Sequence, residues 1–154
     1  MRKILASVLL VLMPLTACAQ MPEAQAQTQI QEQTLQGEVL VVMVKTGEIR
    51  QAGMGLHLAR AAAKKGADVT VIFGADAVGF PQVSGDQPVF EATGETPRQM
   101  IIEIMQNGGD VNVCKLCTVW LELEQNDFMD GVEIVNGQAI FDALYQDDAV
   151  TLEF

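Results

Sequence analysis

Two cysteines three residues apart, in Cys114-Lys115-Leu116-Cys117, are the residues of this sequence best suited to chemistry. On a helix that spacing brings both sulfurs to nearly the same side, so each is within reach of the other. A thiolate at a helix start is favoured by unpaired backbone N–H groups and by the macrodipole, and Lys115 adds positive charge. Cys114, nearest the helix start, is the expected nucleophile, and Cys117 its partner. The motif serves redox, metal and persulfide chemistry alike. A zinc site would need two further ligands, and the chain has a single histidine, His57. No metal or other cofactor is therefore expected. His57, on a predicted helix, is a candidate base near the thiol, and no Ser-His-Asp set can be assembled around it.

The elements that must position this motif follow from hydrophobic pattern. Glu38 to Lys45 is a continuous β-branched run, as expected of a strand buried on both faces of a parallel sheet. Arg50 to Lys65 is rich in Ala and Leu and stops at Gly66, a helix with a glycine C-cap. Asp68 to Phe73 is a second buried strand, which completes a βαβ unit. Gly74 to Glu95, with glycines and prolines throughout, has no assignable secondary structure and is long enough to form a site wall or an oligomer contact. Thr96-Pro97-Arg98-Gln99 is a capping box opening a helix that runs to about Asn107. Asp110 to Val113 is a third strand and delivers the chain to Cys114. A helix over Cys117 to about Gln125, a strand at Val132 to Val135, a helix over Gln138 to Tyr145 and a strand at Ala149 to Phe154 complete the pattern. The sum is an α/β protein, a three-layer α/β/α sandwich with about five mostly parallel strands. Ligands gather at the carboxyl ends of such strands, where Cys114 stands. Met43, Met54, Met100 and Met105 read as core filler, and core packing is likewise expected of Trp120 and Leu121. Gly53-Met54-Gly55 follows the first strand too late, and lacks the third glycine, for a dinucleotide fingerprint.

Length and composition bound the rest. At roughly 150 residues per domain, 154 residues make one domain with attachments. Lys and Arg number 9 against 20 Asp and Glu, a net charge of −11, which argues against nucleic acid as a partner. No run of 18 apolar residues offers a membrane-spanning helix. Residues 1–18 read as a secretion signal: Arg2 and Lys3 precede the apolar stretch Ile4 to Leu12. The signal ends in Leu15-Thr16-Ala17-Cys18, which resembles the lipobox of bacterial lipoproteins, with Cys18 the lipidated first residue of the mature chain. Without Arg2 and Lys3 the basic residues fall to 7 against 20 acidic, a net of −13. Acyl chains, and not attraction to anionic lipid heads, would hold so acidic a protein at a membrane. The Gln-rich residues 19–37 read as a flexible tether with a reach of roughly 25 Å, and 38–154 as the folded domain. By analogy with lipoprotein sorting, Ala19 after the lipidated cysteine implies the periplasmic side of the outer membrane.

Cys114, followed sixteen residues later by Asp130-Gly131-Val132-Glu133, and the opening Gly55-Leu56-His57-Leu58-Ala59 with Lys65-Gly66-Ala67-Asp68-Val69-Thr70-Val71, resemble the DsrE family of sulfur-relay proteins. The resemblance runs from about Glu38 to Phe154. It implies a small α/β protein that assembles into trimers or hexamers and carries sulfane sulfur as a persulfide on Cys114, taken from and passed to other proteins or small sulfur compounds. Cys117 has no counterpart in the best-known cytoplasmic members; a second thiol could resolve the persulfide into a disulfide. Three readings result: a lipid-anchored extracytoplasmic sulfur carrier, a C-x-x-C dithiol-disulfide oxidoreductase, and a non-catalytic oligomeric binding module.

Overall fold

In the computed structural model, residues 34–154 are described, and Cys18 with the rest of the predicted signal and most of the tether lies outside them. Five strands form one parallel sheet in the order β4-β3-β2-β1-β5. They are β1 (Val39–Val44), β2 (Asp68–Phe73), β3 (Asp110–Cys114), β4 (Val132–Val135) and β5 (Ala149–Glu153). Four helices connect them: α1 (Ile49–Lys64), α2 (Pro97–Gln106), α3 (Lys115–Trp120) and α4 (Gly137–Leu144). The first three crossovers step across the sheet in one direction, whereas the last returns from β4 past β1 to β5. Right-handed crossovers therefore place α4 on the face opposite α1 and α2, giving the expected α/β/α layers. Every strand pair is parallel.

Alternation along the strands builds the core. Val42 and Val44 of β1, Val69, Val71 and Phe73 of β2, and Val111 and Val113 of β3 point to the face covered by α1 and α2. Leu56 and Ala59 of α1 and Met100, Ile101 and Ile104 of α2 meet them there, all buried. The two glycines of Gly53-Met54-Gly55 have a packing role: a Cβ at Gly53 would lie 2.5 Å from the Phe90 ring, and one at Gly55 2.7 Å from the Phe154 ring. Met100 is core as expected, whereas Met54 is exposed.

The helix ends behave as their residues dictate. Glu48 caps α1 through the N–H groups of Arg50 and Gln51, and the capping box of Thr96 and Gln99 opens α2 behind Pro97. At the C-terminus of α1, Gly66 (φ 86°) donates to Ala63 O and Ala67 to Ala62 O, a Schellman motif. Gly108 and Gly109 repeat it after α2 with Met105 O and Ile104 O. The domain begins earlier than the sequence pattern places it. Leu35, in the predicted tether, packs against the core and donates its N–H to Lys65 O at 2.9 Å.

Gly74 to Glu95 is ordered by distant partners. It opens with a 3₁₀ turn, Ala75–Gly79, that buries Ala77 and Val78, and Phe80 and Phe90 are buried farther along. Arg98 of α2 donates to Gln82 O and Val83 O, while Gln87 binds both Phe80 O and the N–H of Arg98. The far end is held by Glu95, which pairs with the buried guanidinium of Arg60 on α1.

Candidate functional site at the carboxyl end of the sheet

Cys114 is the last residue of β3 and the N-cap of α3, with extended backbone (φ −66°, ψ 118°). Cys117 is the third residue of α3, so the helix begins at Lys115 and takes in the whole second half of the motif. Both thiols are free and half-buried. Because β2 lies beside β3 in the sheet, the backbone leaving β2 passes the sulfurs, and the N–H of Ala75 donates to Cys117 Sγ at 3.2 Å. Ala75 does this from the left-handed region (φ 47°), a conformation that costs a residue with a Cβ on the order of 1–3 kcal/mol. Gly74 leaves Cys117 Sγ just within van der Waals contact of where a Cβ would stand, at 3.9 Å.

Burial raises the Cys117 thiol above its ordinary range; the Ala75 N–H works against this, and the hydrogen bond and charge of the neighbouring Cys114 sulfur raise it further. Cys117 thus holds its proton at neutral pH. A groove of about 540 Å³ opens beside Cys117, lined by Ala75, Asp76, Leu116, Cys117, Trp120 and Leu121. A larger groove of about 760 Å³ shares Asp76 but no thiol, running past Gly47, Asp86 and Gln87.

The other sequence candidates fall differently. Lys115 is exposed at the first turn of α3, its carbonyl accepting from Thr118 Oγ1 at 2.9 Å, and its side chain does not line the groove at Cys117. His57 is not the base beside the thiol: its Nδ1 lies 3.2 Å from Arg60 Nη2, in the ion-pair cluster of α1 and Glu95, and it does not line that groove. Trp120 is not core but 91% exposed, and Leu121 is 52% exposed. α3 is also shorter than expected, ending at Trp120 instead of near Gln125. Glu122 takes a left-handed conformation (φ 56°), donating to Val119 O while Leu123 donates to Thr118 O. This Schellman stop uses no glycine, so composition hides it. Ala75 and Asp76 were invisible for a different reason. Only the adjacency of β2 and β3 brings them to the thiols. Among the described residues no group of three or more His, Cys, Asp or Glu side chains is arranged to hold a metal ion.

The sequence profile of the DsrE/DsrF-like family matches residues 38–152, all of the sheet but the last residue of β5, with its helices. The chain belongs to the DsrE/DsrF-like family. Two solved structures share its fold. The crystal structure of the YchN protein from E. coli is 23% identical with a TM-score of 0.64, covering 76% of this chain and 99% of its own. MTH1491 from Methanobacterium thermoautotrophicum, described as a protein of unknown function, is 10% identical with a TM-score of 0.62 over the same shares. No curated protein sequence matches. In this DsrE-like domain the C-x-x-C motif occupies the carboxyl end of β3, the place where open α/β sheets keep their ligands.

Proposed function

We propose that this protein is a membrane-anchored, extracytoplasmic DsrE-like sulfur carrier, in which Cys114 accepts and passes on sulfane sulfur as a persulfide and Cys117 is the resolving or gating thiol. Family membership supports a sulfur-relay role in general. The observation that carries the finer reading is the placement of the two sulfurs: Cys114 ends β3 and is the N-cap of α3, while Cys117, in the first turn, keeps its proton and accepts the Ala75 N–H. Loading conserves atoms and charge. The Cys114 thiolate attacks the outer sulfur of a persulfide R–S–SH, the donor S–S bond breaks, Cys114–S–SH forms and R–S⁻ leaves. Delivery is the same exchange with an acceptor thiolate. If Cys117 attacks Cys114–S–SH instead, a Cys114–Cys117 disulfide forms and hydrogen sulfide departs, so the thiols are oxidised as the sulfane sulfur is reduced. An external dithiol must then reset the site. The protein acts as a carrier, with donor and acceptor proteins or small sulfur compounds as its partners.

Anchoring through Cys18 to the periplasmic side of the outer membrane is part of the proposal, as is assembly into trimers or hexamers. Exposed Phe141 on α4 and Tyr145 at its C-cap, stacked with ring centroids 6.1 Å apart, and exposed Val150 on β5 support assembly, since a larger complex would cover them. Incubation with a persulfide donor followed by mass spectrometry tests the carrier role: the wild type gains one sulfur atom on the Cys114 peptide, and Cys114→Ser does not. The proximity of two free thiols also suits a dithiol-disulfide oxidoreductase. Efficient insulin reduction without any persulfide adduct would favour that alternative.

A further inference from the structure

The groove beside Cys117 is apolar except for one charged side chain; Cys114 stands outside its lining, with its sulfur next to that of Cys117. Leu116, Trp120 and Leu121 form its α3 side, and Asp76 is the only charged residue in its lining. Lys115, the nearest cation in sequence, does not line it. The Ala75 N–H is already engaged by Cys117 Sγ. No cation lines the groove to offset the Asp76 carboxylate. Its volume of about 540 Å³ suits a small molecule.

Resting on the carrier reading above, we propose that Asp76 determines donor specificity, turning the site away from anionic sulfur compounds and toward an uncharged, apolar sulfane-sulfur donor seated against Trp120 and Leu121. With a neutral trisulfide R–S–S–S–R, the Cys114 thiolate attacks the central sulfur, one donor S–S bond breaks, Cys114 keeps –S–S–R and R–S⁻ leaves. No further oxidant or reductant is required.

A matched donor pair isolates the charge: bis(2-hydroxyethyl) trisulfide, which is uncharged, and bis(2-carboxyethyl) trisulfide, a dianion at neutral pH. Rates are followed on the full protein by thiol release and by loss of free Cys114. The wild type consumes the uncharged donor faster, and added salt narrows the gap. Asp76→Asn lowers the ratio of uncharged to anionic rate by about three- to tenfold at low ionic strength, the range for one carboxylate acting at groove distance. Asp76→Glu keeps the discrimination. A ratio that Asp76→Asn leaves unmoved, or a wild-type ratio indifferent to salt, overturns the assignment while leaving the carrier role standing. A structural role for Asp76 would slow both donors together and would not touch the salt dependence. If Cys114 reacts with neither donor, both readings fall.

Discussion

At the residue scale the two cysteines differ in placement: Cys114 ends β3 and caps α3, and Cys117 sits in the first turn of α3 under the Ala75 N–H. The C-x-x-C motif was legible in the sequence because its chemistry is local: an N-cap and the third helical residue face one another. Its environment was not, because the groups that tune it, Ala75 and Asp76, are brought there by strand pairing and leave no short-range trace. The raised Cys117 thiol gives a pH dependence with a definite sign. Attack on a Cys114 persulfide needs the Cys117 thiolate, and a raised thiol is protonated across the neutral range and ionises only as the medium becomes alkaline. Release of hydrogen sulfide from the loaded protein should therefore be slow near neutrality and rise by about tenfold per pH unit until Cys117 titrates. Cys117→Ser should abolish that release at every pH, leaving a longer-lived persulfide. A flat pH profile would remove Cys117 from the resolving step.

Elements with local signals matched their sequence expectation closely. The capping box of α2 and the glycine stops of α1 and α2 are written in neighbouring residues, and they appear where those residues stand. The stop of α3 at Glu122 and the course of Gly74 to Glu95 are set by backbone geometry and distant partners, so periodicity could not find them. That segment is fastened at Glu95, whose carboxyl is held below the ordinary carboxylate range chiefly by the hydrogen bond from Arg60. The sign follows: a lowered carboxyl stabilises the fold at neutral pH, and the contribution is lost as pH falls through its depressed titration. Glu95→Gln should cost roughly 1–3 kcal/mol, since the nearly buried Arg60 loses its main partner and retains Glu103 at 3.6 Å. Urea unfolding at neutral pH and again in acid checks this, the difference between wild type and variant shrinking in acid.

At the scale of the whole molecule, five β-branched runs separated by helical patterns were enough to indicate the parallel sheet, and the order β4-β3-β2-β1-β5 explains why the thiols and the β2 exit lie side by side at the carboxyl end of the strands. The domain boundary was less legible, because the Gln-rich composition around Leu35 masks a residue that docks. Leu35→Ala should destabilise the domain by about 1–2 kcal/mol, from lost apolar burial; a change near zero in thermal or urea unfolding would return Leu35 to the tether. The acidic surface and the expected lipid anchor bear on where the carrier works, and both matter only if it carries sulfur. The most direct measurement is intact and peptide mass spectrometry of the protein after exposure to a sulfane-sulfur donor, wild type beside Cys114→Ser. The account predicts one added sulfur atom, removable by a thiol reductant, on the Cys114 peptide of the wild type alone; no adduct, or an equal adduct in Cys114→Ser, would contradict it.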